Sequence, residues 1–554
     1  MSKLTNEVHV QPKKSKTGII VAVVIVVAVL LAVAGVVSYN LVVPESAQET
    51  TSLDNALKQQ NDFAAYYSQD VDWENCEGVQ NNFECAKIKA PLNWYSPTDT
   101  IAPDYEVYNN PYDSDAQATI ELDVIRSTNT DSNDTGKVLF TNPGGPGSSG
   151  VEFLHSADQI FTPKLAKNFT FASWDPRGVQ NSEPIKCFDS AQNELDEIYS
   201  GLVEDPTQNF DEYSEATEQT FNNCKRLTGS LLKFVDTKST ARDLELLRVL
   251  FGQEKLDYLG FSYGTKLGYT YATLFPNKTG AVVLDAVENP DSSISDTVLS
   301  QTAGFDVAFK AYLDDCINNS ASKEVACPFA GQSIDEAIDW VVATIKELNE
   351  NPIYFKDGRP FNASVFRAGV TQSLYDTSFW DVLSRGFNDF KNDGNPAILT
   401  ALADMMNGYN PDDKKFDSNI TEANMSINCV DDYEPFDFNA SVDQIPELQE
   451  ISKVFGFGSS FGDFTCAFVE KGRDTTDVDE TAAGSAPILV IGTLRDPATP
   501  YHEAVEVAQL LKNGVLLTYD GDGHSAYHKT SDELTDAVDE FLINGKVPEG
   551  ELKY

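Results

Sequence analysis

The sequence predicts an α/β fold built on a mostly parallel sheet, with one large helical segment inserted into it. Short apolar runs alternate with helical patterns from about residue 118, and the same rhythm returns after residue 485. Between these regions, residues 291–480 are acidic, helix-patterned and without comparable apolar runs. Buried strands that alternate with helices are typical of a parallel sheet with helices on both faces. We therefore expect one interrupted sheet rather than several separate domains.

The predicted strands are short runs, most of which end in a loop or continue into a helical pattern. The first run alternates apolar and polar residues, as a half-buried strand does, and the later runs are more continuously apolar. Ligands of such folds bind at the carboxyl ends of the parallel strands, and we expect the insertion to lie over that edge. The runs lie at 118–125, 137–145, 168–178, 255–260, 280–287, 486–493 and 514–521.

Net charge narrows the function classes. The chain carries a net charge of −46, and such a surface repels phosphate backbones. We therefore expect no nucleic-acid partner, and we interpret the charge as a solvated acidic shell on an exported protein. No dinucleotide-type glycine pattern follows a predicted strand, and no clustered ligand motif is present. We therefore expect neither a metal nor an organic cofactor.

The eight cysteines suit an oxidising compartment, because their number is even and none forms a Cys-x-x-Cys pair. Spacing alone does not determine how they pair. The simplest arrangement joins neighbours along the chain. That arrangement predicts disulfides between Cys76 and Cys85, Cys187 and Cys224, Cys316 and Cys327, and Cys429 and Cys466.

The N-terminal region contains an uncharged apolar segment at 18–37 that is long enough to span a bilayer as a helix. Lysines precede this segment and acidic residues follow it, so the positive-inside bias places the short tail in the cytoplasm. A site resembling a signal-peptidase site at 32–34 leaves a cleaved signal peptide as the alternative. We expect a single-pass cell-membrane protein with its sheet domain outside, or a secreted protein if the segment is cleaved.

The same patterns divide the chain into segments. A stretch rich in Ser, Thr, Gln and Asp follows the apolar segment and predicts a stalk. The predicted boundaries are 1–17 for a cytoplasmic tail, 18–43 for the transmembrane signal anchor or signal peptide, 44–70 for the stalk, 71–290 for the first part of the sheet domain, 291–480 for a helical cap, and 481–554 for the C-terminal part of the sheet domain.

Two Gly-x-Ser-x-Gly matches occur, centred on Ser262 and Ser460. Ser262 stands between the apolar run LDYLG and the helical pattern YGTKLGYTYATLF. This is the arrangement of a nucleophile elbow, in which a strained serine is exposed above the sheet. Ser460 has no strand before it and no helix after it, and there we predict a flexible glycine loop. Ser262 is therefore the predicted nucleophile.

A serine nucleophile needs a base that takes its proton and an acid that orients the base. His524 stands in GDGHSAY directly after a predicted strand, where such a base is expected. Asp496, in RDPATP after another strand, is the predicted acid, and Asp522 is the alternative. The order Ser, Asp, His along the chain is that of α/β-hydrolases. The other histidines lie before the apolar segment, in helical patterns or farther along the loop: His9, His155, His502 and His528.

The oxyanion that forms when a serine attacks a carbonyl needs backbone N–H donors. Tyr263, the residue after the predicted nucleophile, is expected to supply one of them. The loop TNPGGPGSSG at 141–150 is expected to supply the other. Its prolines have no N–H, which leaves Gly144 and Gly145, and we favour Gly145. A phosphate-binding loop is the alternative, but no Lys-Ser/Thr follows the glycines.

Five motifs together, NPGGPGSSG, WDPRG, GFSYGTKLG, RDPATP and GDGH, resemble the secreted tripeptidyl aminopeptidase-like (TAP-like) serine hydrolases. These enzymes are relatives of proline iminopeptidase within the α/β-hydrolase superfamily. The resemblance extends from about residue 70 to 545 and implies an α/β-hydrolase fold, a cysteine-bearing cap and a TAP-like C-terminal segment. It implies the same triad, and it implies that Asp175 and Arg177 hold the loop beside the site. Gln180 and Ala286 stand where glycine is common in such proteins.

The resemblance implies a serine hydrolase that acts on a peptide or a small ester. An exopeptidase of the tripeptidyl or prolyl aminopeptidase type is the leading hypothesis. A carboxylesterase for envelope lipids or small esters is the alternative, and a non-catalytic surface binding protein is a third. An aminopeptidase needs carboxylates or carbonyls to bind the free amine of its substrate. Glu288, near the end of a predicted strand, is the candidate for this role.

Overall fold

The computed structural model describes residues 58–76, 82–95, 119–128, 136–201, 210–319, 324–433, 435–469, 478–548 and 552–553. All of them belong to one compact unit, Asn55–Tyr554. The predicted apolar span at 18–43 and residues 44–57 of the predicted stalk lie outside the described residues. Within the described part, no helix has the length and apolar character needed to cross a bilayer.

A ten-stranded sheet forms the centre of the described residues, in the order β1-β2-β3-β5-β4-β6-β7-β12-β13-β14. The strands from β5 to β14 in this order pair in parallel, and the remaining neighbours pair antiparallel. The strands are β1 (Glu74–Asn75), β2 (Phe83–Pro91), β3 (Thr119–Ser127), β4 (Val138–Asn142), β5 (Thr170–Trp174), β6 (Leu256–Phe261), β7 (Thr279–Asp285), β8 (Ile353–Tyr354), β9 (Pro360–Phe361), β10 (Tyr409–Asn410), β11 (Lys415–Phe416), β12 (Ile488–Arg495), β13 (Gly514–Asp522) and β14 (Leu552–Lys553). The seven predicted strands are all present.

Many helices begin after a Ser, Asp or Asn whose side chain accepts an N–H of the first turn, and Ser293 and Ser333 form complete capping boxes. The helices are α1 (Ala64–Tyr67), α2 (Gly150–Leu154), α3 (Ala157–Ile160), α4 (Pro163–Ala166), α5 (Ala191–Ile198), α6 (Phe210–Thr228), α7 (Thr237–Leu250), α8 (Tyr263–Leu274), α9 (Ile294–Asn318), α10 (Ile334–Glu350), α11 (Ala363–Leu374), α12 (Trp380–Asp393), α13 (Ala397–Met406), α14 (Ile420–Asp431), α15 (Phe438–Ile451), α16 (Gly456–Ser459), α17 (Tyr501–Leu510) and α18 (Asp532–Asn544). Short 3₁₀ helices lie at Gly229–Lys233, Pro276–Lys278, Thr377–Phe379 and Gly462–Cys466.

Helices cover both faces of the sheet. Successive residues of a strand point to opposite faces, and here the side chains on both faces are buried in apolar clusters. In β6, Tyr258 packs in one apolar cluster and Leu259 in another. In β7, Val282 and Leu284 join the first cluster and Val283 joins the second. Helices α7 and α8 complete the first cluster, and α18 contributes to the second. The α/β-hydrolase sheet predicted from the apolar runs is therefore buried on both sides.

The predicted cap, residues 291–480, contains α9 to α16 and two small strand pairs, and none of its described strands joins the central sheet. An apolar cluster of its own includes Phe309, Phe366 and Phe387. Tyr199, from the segment predicted to belong to the sheet domain, packs in this cluster as well. In contrast, α14 packs its apolar side chains on the cluster of the sheet domain. Each region therefore contributes a segment to the apolar cluster of the other. The predicted boundaries at 291 and 480 do not describe this packing.

All four predicted disulfides are confirmed. The structure joins neighbouring cysteines along the chain, and no cysteine in the described part is free. One disulfide ties α14 to the following 3₁₀ helix, and another ties α6 to the loop before α5. The bonds are Cys76–Cys85, Cys187–Cys224, Cys316–Cys327 and Cys429–Cys466.

Candidate active site

Ser262 lies in a sharp turn between β6 and α8, with φ of 54° and ψ of −131°. A non-glycine residue with positive φ is strained, and such strain is typical of a nucleophile elbow. The flanking glycine is required for close packing, because a Cβ on Gly264 would lie 2.5 Å from the carbonyl oxygen of Asn142. The Ser262 N–H donates to the carbonyl oxygen of Asp285 at 3.0 Å. The predicted strand–turn–helix arrangement is confirmed.

His524 and Asp496 are in direct contact. Nδ1 of His524 lies 2.8 Å and 3.0 Å from the two carboxylate oxygens of Asp496. The Asp496 side chain is fully buried, and its Oδ1 also accepts the N–H groups of Ala498 and Thr499 at 3.0 Å and 2.9 Å. These bonds fix the carboxylate after β12, where it orients the imidazole that follows β13.

The second ring nitrogen of His524 is available for chemistry. Nε2 is buried and has no hydrogen-bond partner among the described residues. A general base of this kind uses one nitrogen for the orienting carboxylate and the other for the nucleophile's proton. The cap also holds the backbone of this histidine, because the backbone N–H of His524 donates to the Tyr375 carbonyl oxygen at 2.8 Å. The Tyr375 ring also packs edge-on against the imidazole, with centroids 5.3 Å apart.

The alternative acid, Asp522, has a different partner. Arg495 binds it through Nε at 2.6 Å and Nη2 at 3.3 Å. Although Asp522 is only two residues from His524 in sequence, its carboxylate is engaged in this ion pair. His502 and His528 also lie elsewhere, near the Ser300 hydroxyl and the Ile160 carbonyl respectively.

The glycine loop after β4 lies against the elbow. A Cβ on Gly144 would lie 2.5 Å from the carbonyl oxygen of Phe261 and 2.8 Å from Cβ of Ser262, so the loop passes too close for any side chain there. The N–H of Gly144 donates to the Asn142 side chain at 2.9 Å and is therefore occupied. The N–H of Gly145 has no such partner within the residues that the structure describes. Of the two glycines predicted as donors, Gly145 is the one with an available N–H.

Asp285 is a part of the site that the sequence prediction missed. It ends β7, between the strand before Ser262 and the strand before Asp496. Its buried carboxylate accepts the N–H of Ala526 at 3.0 Å and that of Tyr527 at 2.8 Å, just after His524. Burial raises the pKa of Asp285 to about 6, although these N–H donors oppose the shift. A carboxylate at the end of a strand was the signal in the sequence.

The two polar residues of WDPRG have separate tasks. Asp175 accepts the Ser149 hydroxyl at 2.5 Å and the Val151 N–H at 3.3 Å, so it holds the start of α2 beside the glycine loop. Burial raises the pKa of Asp175 to about 6. Arg177 is fully buried and pairs with Asp243 through two bonds of 2.7 Å. The expectation that Arg177 also holds the loop is wrong, because this ion pair and nearby carbonyls use its guanidinium.

Gln180 and Ala286, which replace common glycines of the family, both have positive φ, of 43° and 62°. Glycine adopts this region without steric cost, which accounts for its frequency there. Gln180 is held by its N–H to the Asn419 side chain at 2.9 Å and by its amide to the Asp417 carbonyl at 2.9 Å. Both positions therefore have a backbone conformation that favours glycine, and in this chain they carry side chains.

Glu288 belongs to an acidic cluster around Lys266, one turn beyond Ser262 on α8. The Lys266 ammonium lies 2.7 Å from Asp432 and 3.4 Å from Glu288. Burial alone would lower the pKa of this lysine, but the surrounding carboxylates raise it well above its usual value. Asp431 is a third carboxylate near the ammonium. No group of His, Cys, Asp or Glu in the described part is arranged to hold a metal ion.

The second serine match is a structural element. Ser460 follows α16 directly and is 1% exposed. Its hydroxyl donates to the Phe457 carbonyl at 2.6 Å, and the 3₁₀ helix Gly462–Cys466 comes next. The predicted flexible glycine loop is therefore wrong, since two short helices with a buried hydroxyl between them occupy this stretch.

Comparison with known proteins shows the family to which the chain belongs. Residues 137–330 match the alpha/beta hydrolase fold family, and residues 452–553 match the TAP-like protein family. The chain is 30% identical over 497 residues to the serine protease Hip1 of Mycobacterium tuberculosis, covering 87% of this chain and 90% of that protein. It is 27% identical over 503 residues to a tripeptidyl aminopeptidase of Streptomyces coelicolor, covering 86% and 84% respectively.

A relative with a different name matches over a similar length. The carboxylesterase B of Mycobacterium tuberculosis is 28% identical over 498 residues, covering 87% of this chain and 89% of that protein. The relatives thus include enzymes named for peptide and for ester hydrolysis, and both activities belong to serine hydrolases. The chain belongs to the TAP-like serine hydrolases of the α/β-hydrolase superfamily.

Proposed function

We propose that this serine hydrolase is an aminopeptidase that releases short peptides or residues from the N-terminus of its substrate through an acyl-enzyme. The main support is the imidazole of His524, oriented by Asp496 and with Nε2 unoccupied, in a chain whose elbow serine is Ser262. The two N–H groups of Gly145 and Tyr263 complete the proposed site.

In the first half of the reaction, Oγ of Ser262 attacks the scissile carbonyl carbon while Nε2 of His524 takes the hydroxyl proton. The negative charge of Asp496 stabilises the imidazolium that results. The N–H groups of Gly145 and Tyr263 stabilise the oxyanion. The proton then passes from His524 to the leaving amine as the C–N bond breaks.

In the second half, water attacks the acyl-enzyme. His524 accepts a proton from this water as the new C–O bond forms, and the carbonyl oxygen again becomes an oxyanion in a second tetrahedral intermediate. Collapse of the intermediate breaks the bond to Oγ, which recovers its proton from the imidazolium. The products are a peptide acid and a free enzyme, so no co-reactant other than water is consumed.

The acidic cluster supports a preference for substrates with a free amine. Three carboxylates, those of Glu288, Asp431 and Asp432, surround one lysine. Burial raises the pKa of Glu288 and of Asp431, so the negative charge of the cluster increases as the pH rises. The side chains of Glu288 and Asp432 are each 24% exposed and remain accessible to a cation. The cluster adjoins the elbow, because the Tyr263 hydroxyl lies 2.5 Å from that of Thr237, which in turn binds Asp431. We assign the substrate ammonium to this cluster.

The nucleophile is tested with a fluorophosphonate probe on the purified protein. Labelling should disappear in Ser262→Ala and persist in Ser460→Ala, which is the matched control from the second motif. Labelling that persists in Ser262→Ala would refute the assignment.

The substrate class is tested by comparing kcat/KM for peptide amides with a free amine, the same amides with an acetylated amine, and acyl esters. A strong preference for the free amine that is lost in Glu288→Gln supports the aminopeptidase. Equal rates for free and blocked amides, with esters hydrolysed faster, would show an esterase instead.

We also propose that the enzyme works outside the cytoplasm, anchored by the apolar segment at 18–37 or released after its cleavage. Four disulfides in the described part support an oxidising compartment. Protease treatment of intact cells should degrade the protein without lysis. Protection until lysis would contradict this location.

A further inference from the structure

The helix α14 of the cap lies directly on the glycine loop that carries the proposed oxyanion donor. A Cβ on Gly147 would lie 2.9 Å from Cβ of Ala423 and 3.0 Å from the carbonyl oxygen of Ile420. Gly147 also has φ of 106°, a conformation that other residues rarely adopt. The loop is therefore shaped to accept this helix at close range.

Asn424 of α14 reaches the loop backbone. Its Nδ2 donates to the carbonyl oxygen of Gly145 at 2.8 Å. The amide orientation is supported from the next turn, where Nδ2 of Asn428 donates to Oδ1 of Asn424 at 3.3 Å. Asn424 thus fixes the peptide plane on the carboxyl side of Gly145.

The peptide plane on the other side of Gly145 is fixed within the loop. The Ser148 N–H donates to the Gly144 carbonyl oxygen at 3.3 Å. The Gly144–Gly145 peptide is trans, so its N–H points away from its carbonyl and hence away from this bond. The Gly145 N–H lies in this plane, whereas the Gly145 carbonyl lies in the next plane, and the two planes meet at the Gly145 Cα. Ser148 therefore holds the plane of the N–H directly, and Asn424 restrains it through the neighbouring plane.

Several bonds hold α14 in place, so that Asn424 occupies a fixed position relative to the glycine loop. Its N-cap residue, Asn419, donates to the carbonyl oxygens of Gly178 and Ile185 at 2.9 Å and 3.1 Å. Glu422 accepts the Cys187 N–H at 2.8 Å. At the other end, the Cys429–Cys466 disulfide and a 2.7 Å bond from the Thr237 N–H to Asp431 hold the helix. Hydrogen bonds therefore tie α14 to the sheet domain at both ends, and the disulfide adds a covalent bond to the 3₁₀ helix Gly462–Cys466.

We infer that Asn424 is a positioning residue for catalysis, which aims the Gly145 N–H at the oxyanion by holding the Gly145 carbonyl. This inference rests on the proposed function, since it needs Gly145 to be an oxyanion donor. It gives the cap a second task beside substrate binding, because a cap side chain sets the geometry of a donor on the sheet domain. A loose donor weakens the stabilisation of the transition state more than the binding of the substrate.

The test compares Asn424→Asp, Asn424→Ala and Thr421→Ala in the full chain, with p-nitrophenyl acetate as substrate. Asp has the shape of Asn but, when ionised, cannot donate to a carbonyl. Both substitutions at Asn424 should lower kcat by about 10- to 100-fold at pH 7.5, with KM within about threefold of wild type. Thr421→Ala, on the same helix, should leave kcat unchanged.

The pH dependence separates donation from packing. A protonated Asp at position 424 donates again, so the ratio of Asn424→Asp to wild-type kcat should rise as the pH falls toward about 4. A role in packing alone predicts that Asn424→Asp equals wild type at every pH. Wild-type kcat in Asn424→Asp, or a ratio that does not change with pH, would overturn the inference.

Failure of Ser262 as the nucleophile of the proposed function gives a different result. In that case Ser262→Ala would retain the wild-type turnover of the same ester, and the inference would fall with it. If Ser262→Ala is inactive while Asn424→Asp matches Thr421→Ala, only the inference about Asn424 fails. Fluorescence and circular dichroism spectra confirm that each variant is folded before its kinetics are compared.

Discussion

The N–H of Ser262 donates to the carbonyl oxygen of Asp285 at 3.0 Å, and the carboxylate of the same Asp285 holds the backbone just after His524. One residue at the end of β7 therefore joins the elbow to the histidine loop. The strand lies between β6 and β12, so Ser262 and Asp496 leave the sheet on either side of it. The relative position of the predicted nucleophile and base depends on this buried carboxylate.

Asp285→Asn tests that carboxylate through the pH dependence of stability. Burial raises its pKa to about 6 in the folded protein, above the ordinary value of about 3.9. A raised pKa means that the contribution of Asp285 to stability is fully present below about pH 3.9 and is lost as the pH rises through about 6. The wild type should therefore gain about 2 kcal/mol of unfolding free energy relative to Asp285→Asn between pH 7.5 and 4.5.

Urea unfolding of both proteins at the two pH values measures this difference. Asp158→Asn, an exposed carboxylate on α3, serves as the control. The same stability difference between wild type and Asp285→Asn at both pH values would contradict the assigned shift. We also expect Asp285→Asn to lower kcat by about tenfold, because the histidine loop loses charge-assisted bonds.

The buried ion pair between Arg177 and Asp243 provides the second prediction. Arg177→Met leaves the Asp243 carboxylate inside the protein with the Trp94 indole N–H, at 2.8 Å, as its one side-chain partner among the described residues. Breaking a buried pair in this way costs about 3–5 kcal/mol of unfolding free energy. The double variant Arg177→Met/Asp243→Leu should be more stable than Arg177→Met, because no buried charge remains. A single variant as stable as wild type in urea would show that the pair is dispensable.

Ala286 tests the steric cost of a positive φ at a buried non-glycine residue. The residue has φ of 62° and is 1% exposed. Ala286→Gly relieves the steric cost of positive φ but adds entropy to the unfolded chain, so its stability should lie within about 1 kcal/mol of wild type. Ala286→Val places a β-branched side chain in the same conformation and should lose about 2 kcal/mol or more. Thermal unfolding of the three proteins compares them, and equal melting temperatures would contradict the strain.

Local pattern was sufficient to predict the sheet and the elbow. Buried parallel strands have to be apolar along their length, and a strand that enters a helix through Gly-x-Ser-x-Gly has few other structures to adopt. The short strand β1, the antiparallel strand β2 and the terminal strand β14 were missed, because their sequences carry no comparable apolar run. The helix turns around Ser460 were missed for a related reason, since glycine-rich stretches fold as short helices only when tertiary contacts hold them.

The hydrogen bonds that hold the site together could not be predicted from the sequence, because they join residues that are far apart along the chain. Asp285 and Ala526 are 241 positions apart, and Asn424 and Gly145 are 279 positions apart. Asp285 does stand at the end of a predicted strand, but among 86 acidic residues that position alone does not show that its carboxylate meets the histidine loop. For Arg177 the error was to assign a role at the site that the residue does not have. Its motif predicted a position beside the site, but its guanidinium pairs with Asp243 inside the protein.

The choice between Asp496 and Asp522 is the decisive test of the proposed triad. Asp496 contacts Nδ1 of His524, whereas Asp522 pairs with Arg495. Asp496→Asn keeps the shape of the site but presents an amide to the imidazole, which favours the wrong tautomer, and kcat should fall by about 10³- to 10⁴-fold. Asp522→Asn is the matched control and should change kcat by less than about threefold, since it touches only a partly exposed ion pair. Steady-state kinetics of both variants with one peptide substrate decide the matter, and a larger loss in Asp522→Asn would transfer the role of the acid to that residue.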